Sequence, residues 1–293
     1  MIGPRSFAHD GVFWRRMAAL GAQKFPRWWL RYTPPFFGVA AAVVLPQARR
    51  AVRRNLERIR GPQPLWRDVV DTSSTFASYA GCLAESLSKG SKNDAPVDVL
   101  VHGAENVRAA VSKNRGVLLL TMHTGGWDVA GPLFAAHSKL DVMLVMEGER
   151  DEAARAVSDR VRESQGMRVM HIGDDPLAAL PLVRHLTERK GAAALQLDRI
   201  PASGRAVHVE LLGGPAKLPE GPFRLAQLTG APLLPVFCAR RGFRRYLLEV
   251  LPPQELVRRA TPAQLQRVAQ TVADEMTTFL REHPTQWFQF DRD

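Results

Sequence analysis

Cysteine is nearly missing from this chain: Cys82 and Cys238 are the only two in 293 residues. Neither lies in a Cys-x-x-Cys or Cys/His spacing. That excludes a disulfide scaffold and a thiolate metal centre, and both read as small buried hydrophobes. Long apolar runs are missing as well. The longest near the start, FFGVAAAVVL from Phe36 to Leu45, is bounded by Pro35 and Pro46. It is about half the ~20 residues that span a bilayer, which excludes a polytopic membrane protein and leaves a buried or an interfacial helix. No signal peptide is expected, because no apolar stretch with a small-residue cleavage site follows the start. Internal repeats and low-complexity segments are absent too. A 45% hydrophobic and 24% charged chain is an ordinary globular mixture, which excludes extensive disorder. Its length allows one large α/β domain or two small ones.

Lysine is also scarce, at seven of the forty basic residues; the rest are arginine, and the net charge is +11. Arginine's planar fork suits phosphate oxygens better than lysine's point charge. An anionic partner is expected: nucleic acid, an anionic membrane surface or an acidic carrier protein. A genome biased toward arginine codons would give the same composition, and that alternative stays open. The start of the chain favours the membrane. Trp14, Trp28, Trp29 and Tyr32 are interleaved with Arg15, Arg16, Lys24, Arg27 and Arg31, the composition of a peripheral anchor. After the apolar run, Arg49, Arg50, Arg53, Arg54 and Arg58 fall at helical spacing and would attract anionic lipid. The plain alternative is a solvated basic helix packed on the domain.

Residues 1–95 read as a helical extension. A mixed helix is expected over 64–88, with Leu65, Val69, Phe76, Tyr79, Ala80, Leu83 and Leu87 on one face. From about residue 96 the rhythm changes. Strands are expected over 97–103, 116–123, 140–146, 167–172, 191–198, 206–213, 231–241 and 244–251. Helices are expected over 103–114, 127–138, 149–165, 175–190, 218–230 and 261–282. Strands alternating with helices predict a single α/β domain, its mostly parallel mixed sheet covered by helices on both faces. The helical, membrane-facing extension and this core form one continuous unit.

The strand from Gly116 to Met122 runs into His123-Thr124-Gly125-Gly126-Trp127-Asp128. Ligands of open α/β sheets bind beyond the carboxyl ends of strands, so His123 stands where chemistry is expected. The two glycines let the backbone turn and approach a substrate. A carboxylate such as Asp128, five residues on, can bond one ring nitrogen and leave the other to take a proton. As a plain alternative, His123 is a satisfied core histidine and Asp128 a helix N-terminal acid.

This His-x4-Asp pair resembles the signature of the glycerolipid acyltransferase superfamily. Further blocks follow in order: Gln196-Leu197-Asp198-Arg199, then 209–216 with Gly213-Gly214, then Glu220-Gly221, then 225–236, and finally His283-Pro284-Thr285-Gln286-Trp287-Phe288. Upstream lies Arg53-Arg54-Asn55-Leu56. The order resembles the bacterial lipid A late acyltransferases over roughly residues 25 to 292.

The resemblance implies transfer of a fatty acyl group from acyl carrier protein or coenzyme A to a hydroxyl of a lipid or glycolipid, at the cytoplasmic face of the bacterial inner membrane. It makes His123 the general base and Asp128 its partner. Asp198, Arg199, Gly213, Gly214, Glu220 and Gly221 are then candidates for substrate binding, and Trp127 and Phe134 for the acyl-chain pocket. Each has a plain structural alternative: a salt bridge for Arg199, an ordinary loop for the glycines, a helix start for Glu220, core packing for the apolar residues. Two departures stand out. Pro222-Phe223 follow Glu220-Gly221 where the superfamily has Thr-Arg. Val145-Met146-Glu147-Gly148-Glu149-Arg150 replaces the aromatic-Arg-Pro step of the lipid A enzymes, so an acceptor other than lipid A is open, with Arg150 or Arg160 in the missing arginine's place. No cofactor beyond the acyl co-substrate, no metal and no nucleic-acid partner are expected. A non-catalytic basic membrane or nucleic-acid binder and a lipid ester hydrolase stay as alternatives.

Overall fold

The computed structural model describes residues 20–126, 140–147, 167–172, 179–200 and 204–290, together with Pro132, Phe134, Ala135, Ser138, Asp159 and Glu163. Three helices come first: α1 (Arg27–Val44), α2 (Pro46–Arg60) and α3 (Leu65–Leu87). The core follows as β1 (Asp98–His102), α4 (Ala104–Val111), β2 (Val117–Thr121), β3 (Val142–Glu147), β4 (Arg168–Ile172), α5 (Leu180–Thr187), β5 (Ala192–Gln196), β6 (Ala206–Leu211), β7 (Gly214–Pro219), α6 (Gly221–Thr229), β8 (Leu233–Gly242), β9 (Arg245–Val250) and α7 (Pro262–Glu282).

Seven strands form one sheet in the order β1-β9-β8-β2-β5-β3-β4. Every pairing is parallel except β8 with β9. This is the mostly parallel mixed sheet the alternation predicts. β2 lies in the middle and is buried along its whole length, which is why it reads as a continuous apolar run. Its side chains alternate between layers. Leu118, Leu120 and Met122 join the layer with α5, α6 and α7; Val117 and Leu119 join the opposite layer with Ala110 of α4 and Phe134. The start of α7 is set locally. Thr261 Oγ1 accepts the Gln264 N–H, Gln264 Oε1 accepts the Thr261 N–H, and Pro262 opens the first turn.

Three expectations change. A strand that patterning missed, β7, pairs antiparallel with β6 in a separate two-stranded ribbon beside α7. Gly214, Pro215 and Pro219 are poor strand formers, yet a ribbon edge tolerates them. The helix expected from 218 therefore starts at Gly221. The stripe expected along 64–88 is divided: Phe76 and Leu87 are buried, but Leu65, Val69, Tyr79 and Leu83 are exposed. The helices expected over 127–138 and 149–165 lie largely outside the described residues.

The α1–α3 pairing is close because Gly38 admits it. A Cβ there would lie 2.4 Å from the Phe76 carbonyl oxygen. Leu30 and Ala42 of α1 face inward, while Trp28, Tyr32, Phe36 and Val43 are exposed, Trp28 by 64% and Phe36 by 68%. On α2, Ala48, Ala51, Val52 and Leu56 are buried, and Arg50, Arg53, Arg54 and Arg58 are exposed. Arg49 donates to the carbonyls of Ala42 and Val43, capping the end of α1 with positive charge. Among the described residues, no helix is long and apolar enough to cross a membrane.

Candidate active site

Register brings the site together. β2 and β5 are parallel neighbours with Thr121 opposite Gln196, and the Leu197 N–H continues the ladder to the Thr121 carbonyl. Two residues past each strand end stand His123 and Asp198. Their side chains meet, with His123 Nδ1 2.9 Å from Asp198 Oδ1. The His123 backbone N–H reaches the same carboxylate at 3.1 and 3.2 Å. The third donor is the Trp287 indole, whose Nε1–H lies 2.9 Å from Oδ2.

The Asp198 side chain is 0% exposed and that of His123 22%. Burial alone would push the Asp198 carboxyl up. The His123 charge and the hydrogen bonds from His123 and Trp287 outweigh it, so Asp198 is held below the ordinary carboxylate range. An ionised carboxylate only accepts hydrogen bonds, so Nδ1 of His123 donates to it, and Nε2 carries the lone pair whenever the ring is neutral. That is the tautomer a general base needs.

The segment after α7 closes over the pair. Thr124 and Trp287 form an isolated antiparallel bridge, and the Phe288 N–H donates to the His123 carbonyl at 2.7 Å. Gln289 donates to the Asp198 carbonyl at 3.3 Å and accepts the Arg199 Nε–H at 2.9 Å. Its own carbonyl accepts from Asn55 of α2. The two glycines after His123 are needed for space. A Cβ at Gly125 would lie 2.1 Å from Gln286 Oε1; at Gly126, where φ is +87°, it would lie 2.2 Å from the Tyr246 ring.

A partly exposed histidine bonded to a buried carboxylate at the carboxyl edge of a parallel sheet is an arrangement able to move a proton, and the whole-chain comparison supplies its setting. Residues 7–293 match the family described as bacterial lipid A biosynthesis acyltransferase. The chain belongs to that family. Curated relatives include the phosphatidylinositol mannoside acyltransferases of Mycobacterium tuberculosis (strain ATCC 25618 / H37Rv) and Mycolicibacterium smegmatis (strain ATCC 700084 / mc(2)155). The first is 25% identical over 241 residues, 80% of this chain and 74% of the relative. The second is 27% identical over 244 residues, 80% and 76%. Among solved structures, the 1-acyl-sn-glycerophosphate acyltransferase PlsC from Thermotoga maritima covers 87% of this chain and 98% of its own, with 12% identity and a TM-score of 0.40.

Within this acyltransferase fold the other expected site residues fall in different places. Arg199 is exposed beside the pair. Asp128 and Trp127, like Arg150 and Arg160, lie outside the described residues. Phe134 is buried in the apolar layer with Val117, Leu119 and Leu144. Leu212 and Gly213 form the β6–β7 turn, both at positive φ, and Gly214 opens β7. The hydrogen bonds holding that ribbon run to Gln266, Gln270 and Thr277 of α7. Glu220 precedes the first turn of α6 without a side-chain cap and pairs with Arg224 at 2.7 Å, and open space surrounds Gly221. Sequence reading assigned no role to Trp287 or Gln289 and treated Asp198 only as a substrate ligand. The signal was present: 116–123 and 191–198 are strands of one sheet ending together. Folding also brings Glu249 within ligand distance of Glu282 and His283, a grouping no local spacing announces.

Proposed function

We propose that this chain is a membrane-associated O-acyltransferase. It takes a fatty acyl group from an acyl thioester, acyl carrier protein or coenzyme A, and places it on a hydroxyl of a glycosylated lipid. The observation that carries the reading is the His123–Asp198 pair, with Nδ1 protonated and Nε2 able to take a proton. His123 Nε2 removes the acceptor hydroxyl proton as the oxygen attacks the thioester carbonyl. The C–O bond forms, the C–S bond breaks, and the imidazolium returns the proton to the departing thiolate. Asp198 holds the ring and stabilises the imidazolium. The family resemblance gives the partner role to Asp128, whereas the hydrogen bond described on Nδ1 is that of Asp198. Arg199, exposed at the same edge, suits an acceptor phosphate or the developing oxyanion. General-base assistance of this kind is worth about 10²–10⁴ in rate.

The named relatives act on phosphatidylinositol mannoside, and the aromatic-Arg-Pro step of the lipid A enzymes is replaced here. Both favour a glycosylated phospholipid over lipid A as acceptor. The exposed aromatic stripe of α1 and the arginine face of α2 support peripheral attachment to an anionic membrane, and the same basic surface suits an acidic carrier protein. The site reading calls for no metal or other cofactor.

The test is a transfer assay in detergent. Labelled acyl carrier protein and, separately, acyl-coenzyme A are supplied with phosphatidylinositol mannosides or lipid A precursors. Label is expected in the lipid with the wild type and not with His123→Ala or Asp198→Asn. Full transfer by His123→Ala overturns the mechanism. Label only as free fatty acid, without need of an acceptor, makes the protein a lipid ester hydrolase.

A further inference from the structure

The catalytic pair as read so far comes from two strand ends, but the hydrogen bonds around it come largely from the other end of the chain. Residues 287–289 touch it at three points, and Gln286 braces the turn beside it. Gln286 Oε1 accepts the Arg240 backbone N–H at 2.9 Å, beside Gly125. The Trp287 indole N–H reaches Asp198 Oδ2. The Phe288 N–H holds the His123 carbonyl. Gln289 holds the Asp198 carbonyl and Arg199. Of these, only the Trp287 contact reaches the catalytic carboxylate.

Packing does not require a tryptophan nitrogen here. Trp287 is 5% exposed and belongs to the apolar layer with Leu197, Met276 and Leu280, where a phenylalanine would bury a similar ring face. The indole adds one donor and no acceptor, and a donor aimed at Asp198 favours its anion over the neutral acid. Oδ1 is engaged by His123 Nδ1 and Oδ2 by the indole. The carboxylate therefore cannot rotate without breaking one of two charge-assisted bonds.

Resting on the acyltransferase reading of the site, we propose that Trp287 is a positioning residue for catalysis: its indole N–H, bonded to Oδ2, keeps the Asp198 carboxylate aligned on His123. The C-terminal strap is then part of the catalytic apparatus rather than a cover over the core. Trp287 acts through Asp198 and touches neither donor nor acceptor, so its loss should lower kcat and leave KM alone.

Trp287→Phe tests this in the full-length protein with the acyl-transfer assay. Losing one charge-assisted hydrogen bond should lower kcat about 10- to 100-fold, with KM for the acyl donor unchanged. The acid limb of the kcat profile should move to higher pH, because an Asp198 anion with one donor fewer attracts the imidazolium form of the general base more strongly. Trp287→Phe on top of Asp198→Asn should add almost nothing, since both remove the same function. A purely packing role predicts the opposite: an unmoved acid limb and an additive double variant. Should Trp287→Phe fail to fold, β-(3-benzothienyl)alanine at position 287 keeps the ring shape and removes only the N–H. Wild-type kcat and pH profile with either replacement overturn the proposal. His123→Ala, assayed alongside, separates the two layers. If it retains full transfer, the reading of the site fails; if it is inactive while the position-287 replacements are normal, only the role of Trp287 fails.

Discussion

Glu85→Ala should be among the most damaging single changes in this protein, although Glu85 lies on α3 rather than in the His123–Asp198 pair. The residue is 3% exposed. Its Oε1 accepts from Arg240 Nε at 3.1 Å and Nη2 at 2.6 Å. Its Oε2 accepts the Arg244 backbone N–H at 3.1 Å and the Tyr246 hydroxyl at 2.6 Å. Burial by itself lowers the Arg240 pKa, yet Glu85 more than offsets this and holds it above the ordinary arginine value. Burial likewise pushes the Tyr246 phenol well up, and Cys82 and Glu85 add to it.

Removing Glu85 leaves the guanidinium in a low-dielectric site without its carboxylate, and two further donors lose their acceptor. Breaking one side of a buried pair costs about 3–5 kcal/mol. At roughly 2–4 °C per kcal/mol for a large domain, Tm should fall by about 6–20 °C. Glu85→Leu combined with Arg240→Met removes both charges together and should regain much of that loss. Thermal unfolding followed by circular dichroism at pH 7 compares wild type, Glu85→Ala, the double variant and its two single changes, Glu85→Leu and Arg240→Met. A Tm within 1 °C of wild type for Glu85→Ala, or a double variant as unstable as the two single changes summed, would refute the reasoning. The network also supports the site, since Tyr246 and the Arg240 N–H back the Gly125-Gly126 turn. Transfer activity of Glu85→Ala should therefore fall even well below its Tm.

Other consequences are as direct. Gly126→Ala forces a side chain into positive φ and into the Tyr246 ring; it should cost at least 1–3 kcal/mol and disable transfer, and a normal Tm with normal activity would show the turn to be adaptable. Glu275 is raised to about 7 from 4.5, first by burial and then by Asp274. The folded protein thus keeps a proton that the unfolded chain has lost between these values, and stability falls as pH rises through that window. Glu275→Gln should raise Tm by a few degrees at pH 8, on the order of 1 kcal/mol after allowing for solvent screening, and leave it unchanged at pH 4; an equal gain at both would contradict the assignment. Replacing Trp28 and Phe36 with serine should weaken binding to phosphatidylglycerol vesicles by about 100-fold or more. Changing Arg50, Arg53 and Arg54 to glutamine should weaken it about 100-fold at low salt and little at high salt, with sedimentation as the readout and an unchanged partition as the contrary result.

Much of the molecule was legible before folding. The fully apolar run from Val117 to Leu120 could only be a strand buried on both faces, and the change of period near residue 96 marks where the sheet begins. His123 with the two glycines after it marked a strand end and a tight turn, which local sequence alone sets. β7 was illegible: its prolines and glycine are tolerated only at an edge, and edge position is a property of the ribbon. The faces of α3 were illegible for a similar reason. Helical spacing tells which residues share a face, not which face the protein covers.

The sequence by itself determined the α/β class, the place of His123 and the basic, aromatic start, because each follows from short-range pattern and composition. Only the tertiary structure decided what holds the histidine. The Asp198 carboxylate is 75 residues away in the chain and the Trp287 indole 89 residues beyond that. Parallel register and the return of the C-terminal strap bring them within hydrogen-bonding distance, and no local spacing encodes a contact made by strands with two other strands between them in the chain.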